Sequence, residues 1–139
     1  MLINKLGAEN VEFCGFASFD RIASEIDILV LPSYCNYESL PISIIEAMAN
    51  EKPVIATDIG GCSEQVENER SGYLIPTKNQ AALDEAINKY ILNKDLIIQH
   101  GERGREIAVK KFNLKFTVSK LKEILLEIKE KNEKLLFNE

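Results

Sequence analysis

The chain alternates short apolar runs with longer stretches in which apolar residues recur at helical spacing. Val11-Glu-Phe-Cys-Gly15 reads as a strand closed by a glycine turn. Ser18 is placed to cap a short helix, with Asp20 in its first turn and Ile22, Ala23 and Ile26 on one face. Asp27-Ile-Leu-Val-Leu31 is apolar without alternation and is closed by Pro32, the pattern of a strand covered on both faces. A loop, Ser33 to Glu38, follows. Pro41 then opens a helix running to about Asn50, because proline suits a first helical turn. Pro53–Ala56 is a third strand, Thr57–Gly61 a turn, Ser63–Val66 the start of another helix, and Gly72–Ile75 a fourth strand stopped by Pro76.

Beyond Pro76 the pattern is helical throughout. Ala82, Leu83, Ala86, Ile87, Tyr90 and Ile91 share a face, with Thr77 or Asn79 as the cap. Asp95 is placed to cap the next helix, which runs toward Lys111. Leu121, Ile124, Leu125 and Ile128 mark a last one, with Glu127/Lys131 and Glu130/Lys134 at i,i+4. The Lys/Glu run there reads as a solvated helix face. Strands alternating with helices imply βαβ units. The expected class is α/β: a three-layer parallel sheet of about four strands with flanking helices. In such sheets ligands sit at the carboxyl ends of the strands. The chemistry is therefore sought in Pro32–Glu46 and Thr57–Glu64.

Composition narrows the function. A length of 139 residues suits one domain. A net charge of −5 argues against nucleic-acid binding and against a polybasic membrane anchor. No apolar run approaches the ~20 residues of a membrane span, and Met1–Leu6 lacks the apolar core of a signal peptide. Cys14, Cys35 and Cys62 form no Cys-x-x-Cys pair or Cys/His cluster, so neither a disulfide framework nor a metal site is expected. They read as buried, reduced thiols of a cytoplasmic protein. The single histidine, His100, stands among Gln99 and Glu102 and reads as a surface residue, which leaves Ser/His/Asp catalysis without a base.

Within Glu38-Ser-Leu-Pro-Ile-Ser-Ile-Ile-Glu46 two carboxylates flank a helix start. At about 1.5 Å rise per residue, Glu46 stands roughly 7–8 Å deeper than Pro41. One acid is placed to accept hydrogen bonds from a sugar, the other from the hydroxyls of a ribose. Between them, the first N–H groups of the helix offer a phosphate site at its positive end. A plainer reading also fits: Glu38 as a first-turn acid favoured by the helix dipole, and Glu46 as an exposed helix residue. Glu46 has apolar sequence neighbours, and an acid buried among them would need hydrogen-bond partners.

Further motifs extend this pattern: Leu31-Pro-Ser33, Glu38-Ser-Leu-Pro41, Glu46-Ala-Met-Ala49, Lys52-Pro-Val-Ile-Ala-Thr-Asp58, Gly60-Gly61, Glu64 and Ser71-Gly-Tyr-Leu-Ile-Pro76. From about Val11 to Phe112 the chain resembles the donor-binding half of retaining GT-B glycosyltransferases, the group 1 or family 4 enzymes, whose Glu-x7-Glu motif Glu38 and Glu46 match. The resemblance implies a Rossmann-like C-terminal half, residues 1–112, followed by an amphipathic helix, 113–139, packing on it or extending from it. It implies that Glu38 contacts the transferred sugar and stabilises its developing charge, and that Glu46 takes the ribose. Ser39, Leu40 and Pro41 would line the phosphate and sugar pocket, with Pro32 and Ser33 shaping the approach. The implied reaction moves a sugar from a UDP-, GDP- or ADP-linked donor to a glycan or lipid acceptor, with no metal and no cofactor.

Departures accompany the resemblance. Ser39 and Glu51 stand where glycine is common. Asn50 is expected to take the left-handed conformation in place of the latter glycine. The acceptor-binding N-terminal domain and the first two βα units, with their Arg and Lys for the diphosphate, have no counterpart here. In the sheet order 3-2-1-4-5-6 these strands would be 3, 4, 5 and 6, leaving Val11–Gly15 without its neighbours. Three remedies are open: Val11–Cys14 pairs beside Ile28–Leu31, two copies join through sheet edges, or another polypeptide supplies the missing part. The isolated chain is expected to be inactive, and peripheral membrane contact belongs to the full enzyme. The alternative is a catalytically inactive binding or assembly module of the same fold that needs a partner chain.

Overall fold

The computed structural model describes residues 10–35 and 38–136. The stretch Met1–Leu6 and part of the loop before Glu38 lie outside them. Three strands, β1 (Leu29–Leu31), β2 (Val54–Thr57) and β3 (Gly72–Ile75), pair in parallel in the order β1-β2-β3. Val30 faces Ile55 across the first pair, and Ile55 faces Tyr73 across the second. Helices α1 (Phe19–Ile22), α2 (Ile42–Ala49), α3 (Cys62–Gln65), α4 (Gln80–Leu92), α5 (Asp95–Lys111) and α6 (Leu114–Leu136) complete the described fold.

Strand side chains alternate between two apolar layers, as they must on a sheet covered on both sides. Val54 and Ala56 pack with Ile44, Ala47 and Met48 of α2 and Ile107 and Ala108 of α5. Ile55, Tyr73 and Ile75 pack on the other face with Ala86 and Tyr90 of α4. The three-layer α/β architecture is therefore present. Gly104 lets α5 approach α2, for a Cβ there would sit 3.2 Å from the Met48 side chain.

Val11–Gly15 is not a strand, so among the described residues the sheet has three strands in place of the expected four. Val11 and Phe13 are exposed, and β1 pairs only with β2. A short β-prone segment without a neighbouring ladder has no partner for its N–H and C=O groups and stays irregular. Pairing of this segment beside β1 is thus not how the chain completes its sheet.

Three further expectations are corrected. His100 is buried against Tyr73 and Tyr90 instead of lying at the surface. Cys14 and Cys35 are exposed, and only Cys62 is buried. The left-handed residue after α2 is Glu51 at φ +57°, while Asn50 stays at φ −102°. Asn50 instead turns its Nδ2 back to the Glu46 carbonyl, and Arg105 reaches both the Ala49 carbonyl and the Glu51 carboxylate.

α6 is capped by Asn113, whose Oδ1 accepts from the Phe116 N–H at 2.8 Å. Its apolar stripe, including Leu114, Leu121 and Leu125, is at least half exposed. Among the described residues no helix is long and apolar enough to cross a membrane.

Candidate functional site

The carboxyl ends of all three strands open at one edge. Pro32 and Ser33 leave β1, Asp58 to Gly61 leave β2, and Pro76 leaves β3. A cavity of about 210 Å³ lies there, walled by Pro32, Tyr34, Thr57, Pro76, Lys78 and Leu83, among others. Lys78 stands 5.9 Å from the centre of the Tyr34 ring. The two glutamates stand outside this cavity, on the loop and helix that follow β1.

Glu38 is half-buried and held from two sides. The Ser33 hydroxyl donates to its Oε1 at 3.0 Å. Ser33 is itself fixed, because the buried Thr57 hydroxyl donates to its carbonyl at 2.5 Å. From below, the Gly60–Gly61 turn presses against the acid loop. The Gly61 N–H donates to the Ser39 carbonyl at 2.6 Å. A Cβ on Gly60 would lie 1.6 Å from the Glu38 carbonyl oxygen, and one on Gly61 would lie 2.1 Å from that of Ser39. Gly60 also has φ +52°, a conformation that costs a non-glycine residue free energy. The glycine pair is therefore more than a strand-to-helix turn: it seats the loop that carries the first acid.

Pro41 is the N-cap of α2 and is buried, with no side-chain cap on the helix. The N–H groups of Ile42 and Ser43 have no carbonyl four residues back within the helix to bond. Leu40 and Ile42 are exposed beside them, at 41% and 70%. Glu46 lies just over one turn further on and faces solvent, so the burial cost raised by its apolar sequence neighbours does not arise. The edge thus presents, in order, a fixed carboxylate, a polar helix start flanked by apolar side chains, and an exposed carboxylate.

Thr57 and Gln65 were not singled out in the sequence, yet both act on this loop. The Gln65 side chain is fully buried and donates from Nε2 to the Pro41 carbonyl at 3.0 Å. The only signal for it was a polar residue at an inward position beside Cys62 and Val66. Burial pushes the Cys62 thiol up, and the nearby charges of Glu38 and Asp58 add to this against a backbone hydrogen bond with Ile59. Cys62 therefore stays a protonated core residue and is no nucleophile. Among the described residues no cluster of His, Cys, Asp or Glu could hold a metal ion.

Comparison with known proteins bears on this arrangement. Residues 1–107 match the family described as glycosyl transferases group 1. An uncharacterised glycosyltransferase of Methanocaldococcus jannaschii is 35% identical over 127 residues, covering 89% of this chain and 35% of the relative. The poly(ribitol-phosphate) alpha-N-acetylglucosaminyltransferase of Staphylococcus aureus is 30% identical over 121 residues, or 86% of this chain and 24% of its own. Among solved structures, Anabaena HepE in complex with UDP superposes with a TM-score of 0.84 at 28% identity, covering 90% of this chain and 35% of that one. The same protein is also known with UDP-glucose, matching at a TM-score of 0.80 with the same identity and coverage. The chain spans about a third of the length of these relatives, or less. With its Rossmann-like layers and its acid loop seated at the strand ends, the chain belongs to the group 1 glycosyltransferases.

Proposed function

We propose that this chain binds the nucleotide-sugar donor of a retaining, metal-independent glycosyltransferase. The observation that carries the reading is Glu38, fixed by Ser33 and the glycine turn at the open start of α2, with Glu46 one turn beyond it. In this reading Glu46 accepts hydrogen bonds from the ribose hydroxyls. The N–H groups of Ile42 and Ser43 meet the diphosphate beside Ser39, Leu40 and Pro41. Glu38 meets the sugar and stabilises the positive charge that develops at its anomeric carbon. The UDP and UDP-glucose complexes of HepE support a nucleotide-sugar as the ligand class.

An exposed helix end contributes only about 0.3–1 kcal/mol toward an anion. The chain alone is therefore expected to bind weakly and not to turn over. Transfer to a glycan or lipid acceptor, in the cytoplasm, is proposed for the enzyme that contains the remaining parts. The free thiols of Cys14, Cys35 and Cys62 fit such a reducing compartment. Calorimetry with UDP and with GDP tests the reading. Binding in the millimolar range is expected, and Glu46→Ala should weaken it most. No heat with either nucleotide at several millimolar would rule donor binding by this chain out.

One observation favours a second reading, an inactive module that assembles with a partner. The apolar stripe of α6 is exposed over several turns. This reading expects a folded chain that binds no nucleotide and is recovered with a stable partner.

A further inference from the structure

The buried Gln65 is unusual for what it leaves undone. It is 1% exposed, and Nε2 bonds the Pro41 carbonyl, but Oε1 has no partner among the described residues. A buried amide oxygen without a hydrogen bond is costly. An apolar side chain of the same length would fill the site without that cost. What only the amide supplies there is the bond to Pro41.

That bond reaches the most consequential backbone in the site. Pro41 caps α2 and ends the segment Glu38–Pro41, and its carbonyl also accepts the Ile44 N–H at 3.2 Å. α3 holds the segment at two separate points. The Gly61 N–H, at its start, bonds the Ser39 carbonyl, and Gln65, at its end, bonds the Pro41 carbonyl. One short helix thus holds the loop on both sides of Leu40. Two bonds fix an orientation that one would leave free to swing.

We infer that Gln65 is a positioning residue for the donor: through Pro41 it sets the direction of the first N–H groups of α2 relative to Glu38. It touches no donor atom and acts only through the loop. This rests on the donor-binding reading above, and two readouts keep the two apart.

Gln65→Met removes both polar atoms and keeps the length. The variant should melt at or above the wild-type temperature. The Gly61 and Ile44 amides should exchange about fivefold faster, the size of one neutral hydrogen bond, while Val54 and Ile55 are unchanged. UDP affinity should fall by a similar factor. In Gln65→Glu, a neutral carboxyl group donates to the Pro41 carbonyl and an ionised one does not. Loop exchange and UDP affinity in that variant alone should then follow the titration of residue 65, which decides the matter if the methionine variant does not fold. A folded Gln65→Met with wild-type exchange at Gly61 and Ile44, or a Gln65→Glu without pH dependence, makes Gln65 an ordinary core residue and overturns the inference. If the wild type binds no UDP, the donor reading fails while the exchange rates still decide the role of Gln65.

Discussion

Two glycines with left-handed backbone offer a controlled test of how the acid loop is seated. Gly60 has φ +52° and Gly15 has φ +65°, so replacing either with alanine incurs a similar conformational penalty of about 1 kcal/mol. Their surroundings differ. A Cβ on Gly15 meets nothing within 4 Å. A Cβ on Gly60 would lie 1.6 Å from the Glu38 carbonyl oxygen and 2.7 Å from its carbon, where real contacts below 3.0 Å essentially never occur. Both atoms belong to backbone, so no side chain can swing aside. The loop must move by about 1.4 Å to reach even 3.0 Å.

Gly60→Ala should therefore lose about 2–3 kcal/mol in urea unfolding, combining the backbone penalty with the repacking of an overfilled contact. Gly15→Ala should lose no more than about 1 kcal/mol. The functional contrast should be larger. A displacement near 1 Å in a positioned group can cost about a hundredfold in activity, so UDP-glucose binding should fall below detection in Gly60→Ala. It should be unchanged in Gly15→Ala. Equal destabilisation by the two substitutions would refute the clash. A Gly60→Ala variant that binds UDP-glucose like the wild type would refute the seating of Glu38 by this turn.

Three further outcomes follow from the same geometry. Ser33→Ala removes the donor to Glu38 at the cost of one partly buried hydrogen bond, about 1 kcal/mol or less; under the proposed function Glu38 is the sugar contact, so calorimetry should show weaker UDP-glucose binding with UDP binding unchanged. Glu51→Gly relieves φ +57° and loses only an exposed ion pair with Arg105, so urea unfolding should show a gain of about 0.5–1 kcal/mol. Burial holds His100 below its ordinary pKa of 6.5, against a weaker upward pull from Glu69, so the folded chain binds that proton less readily than the unfolded one. Stability should be fully present above about pH 6.5 and decline as the pH falls below it, and His100→Gln should flatten that decline in thermal melts at a series of pH values.

Where a pattern is local, the sequence and the structure agree. Gly72–Ile75 and the Asn79 cap are found as read, the Asn79 Oδ1 accepting from the Ala82 N–H at 3.0 Å. Disagreement appears where a distant contact decides. Val11–Gly15 has strand-like residues, but a strand needs a ladder beside it, and among the described residues no neighbour is present. His100 has polar sequence neighbours, yet its Nδ1 lies 2.9 Å from the Tyr90 hydroxyl in a cluster with Tyr73. Nothing within a helical turn of His100 announces that cluster. At the end of α2, Asn50 is the better left-handed residue by propensity. There the reason is the closure of the helix end itself: the Glu51 N–H donates to the Met48 carbonyl at 3.1 Å and the Lys52 N–H to the Ala47 carbonyl at 2.9 Å, a pattern that puts the left-handed residue at Glu51.

The same distinction separates finding the site from understanding it. The spacing of Glu38 and Glu46 is local and marks the segment. Their setting is not local. Thr57 fixes Ser33, and Gln65 fixes Pro41, each across 24 positions of chain. The glycine turn after β2 reaches the acid loop after β1 only because β1 and β2 pair in register, Leu31 beside Ala56. A one-residue slip of that register would carry Thr57 to the wrong side of the sheet and leave Ser33, and with it Glu38, unsupported. The apolar layers on both faces of β2 forbid such a slip, since it would exchange Ile55 for Val54 and Ala56 in two cores of different shape. The orientation of the first acid is thus a property of the packed sheet, and substitutions that loosen the β1–β2 pair should weaken the proposed UDP-glucose binding before they unfold the chain.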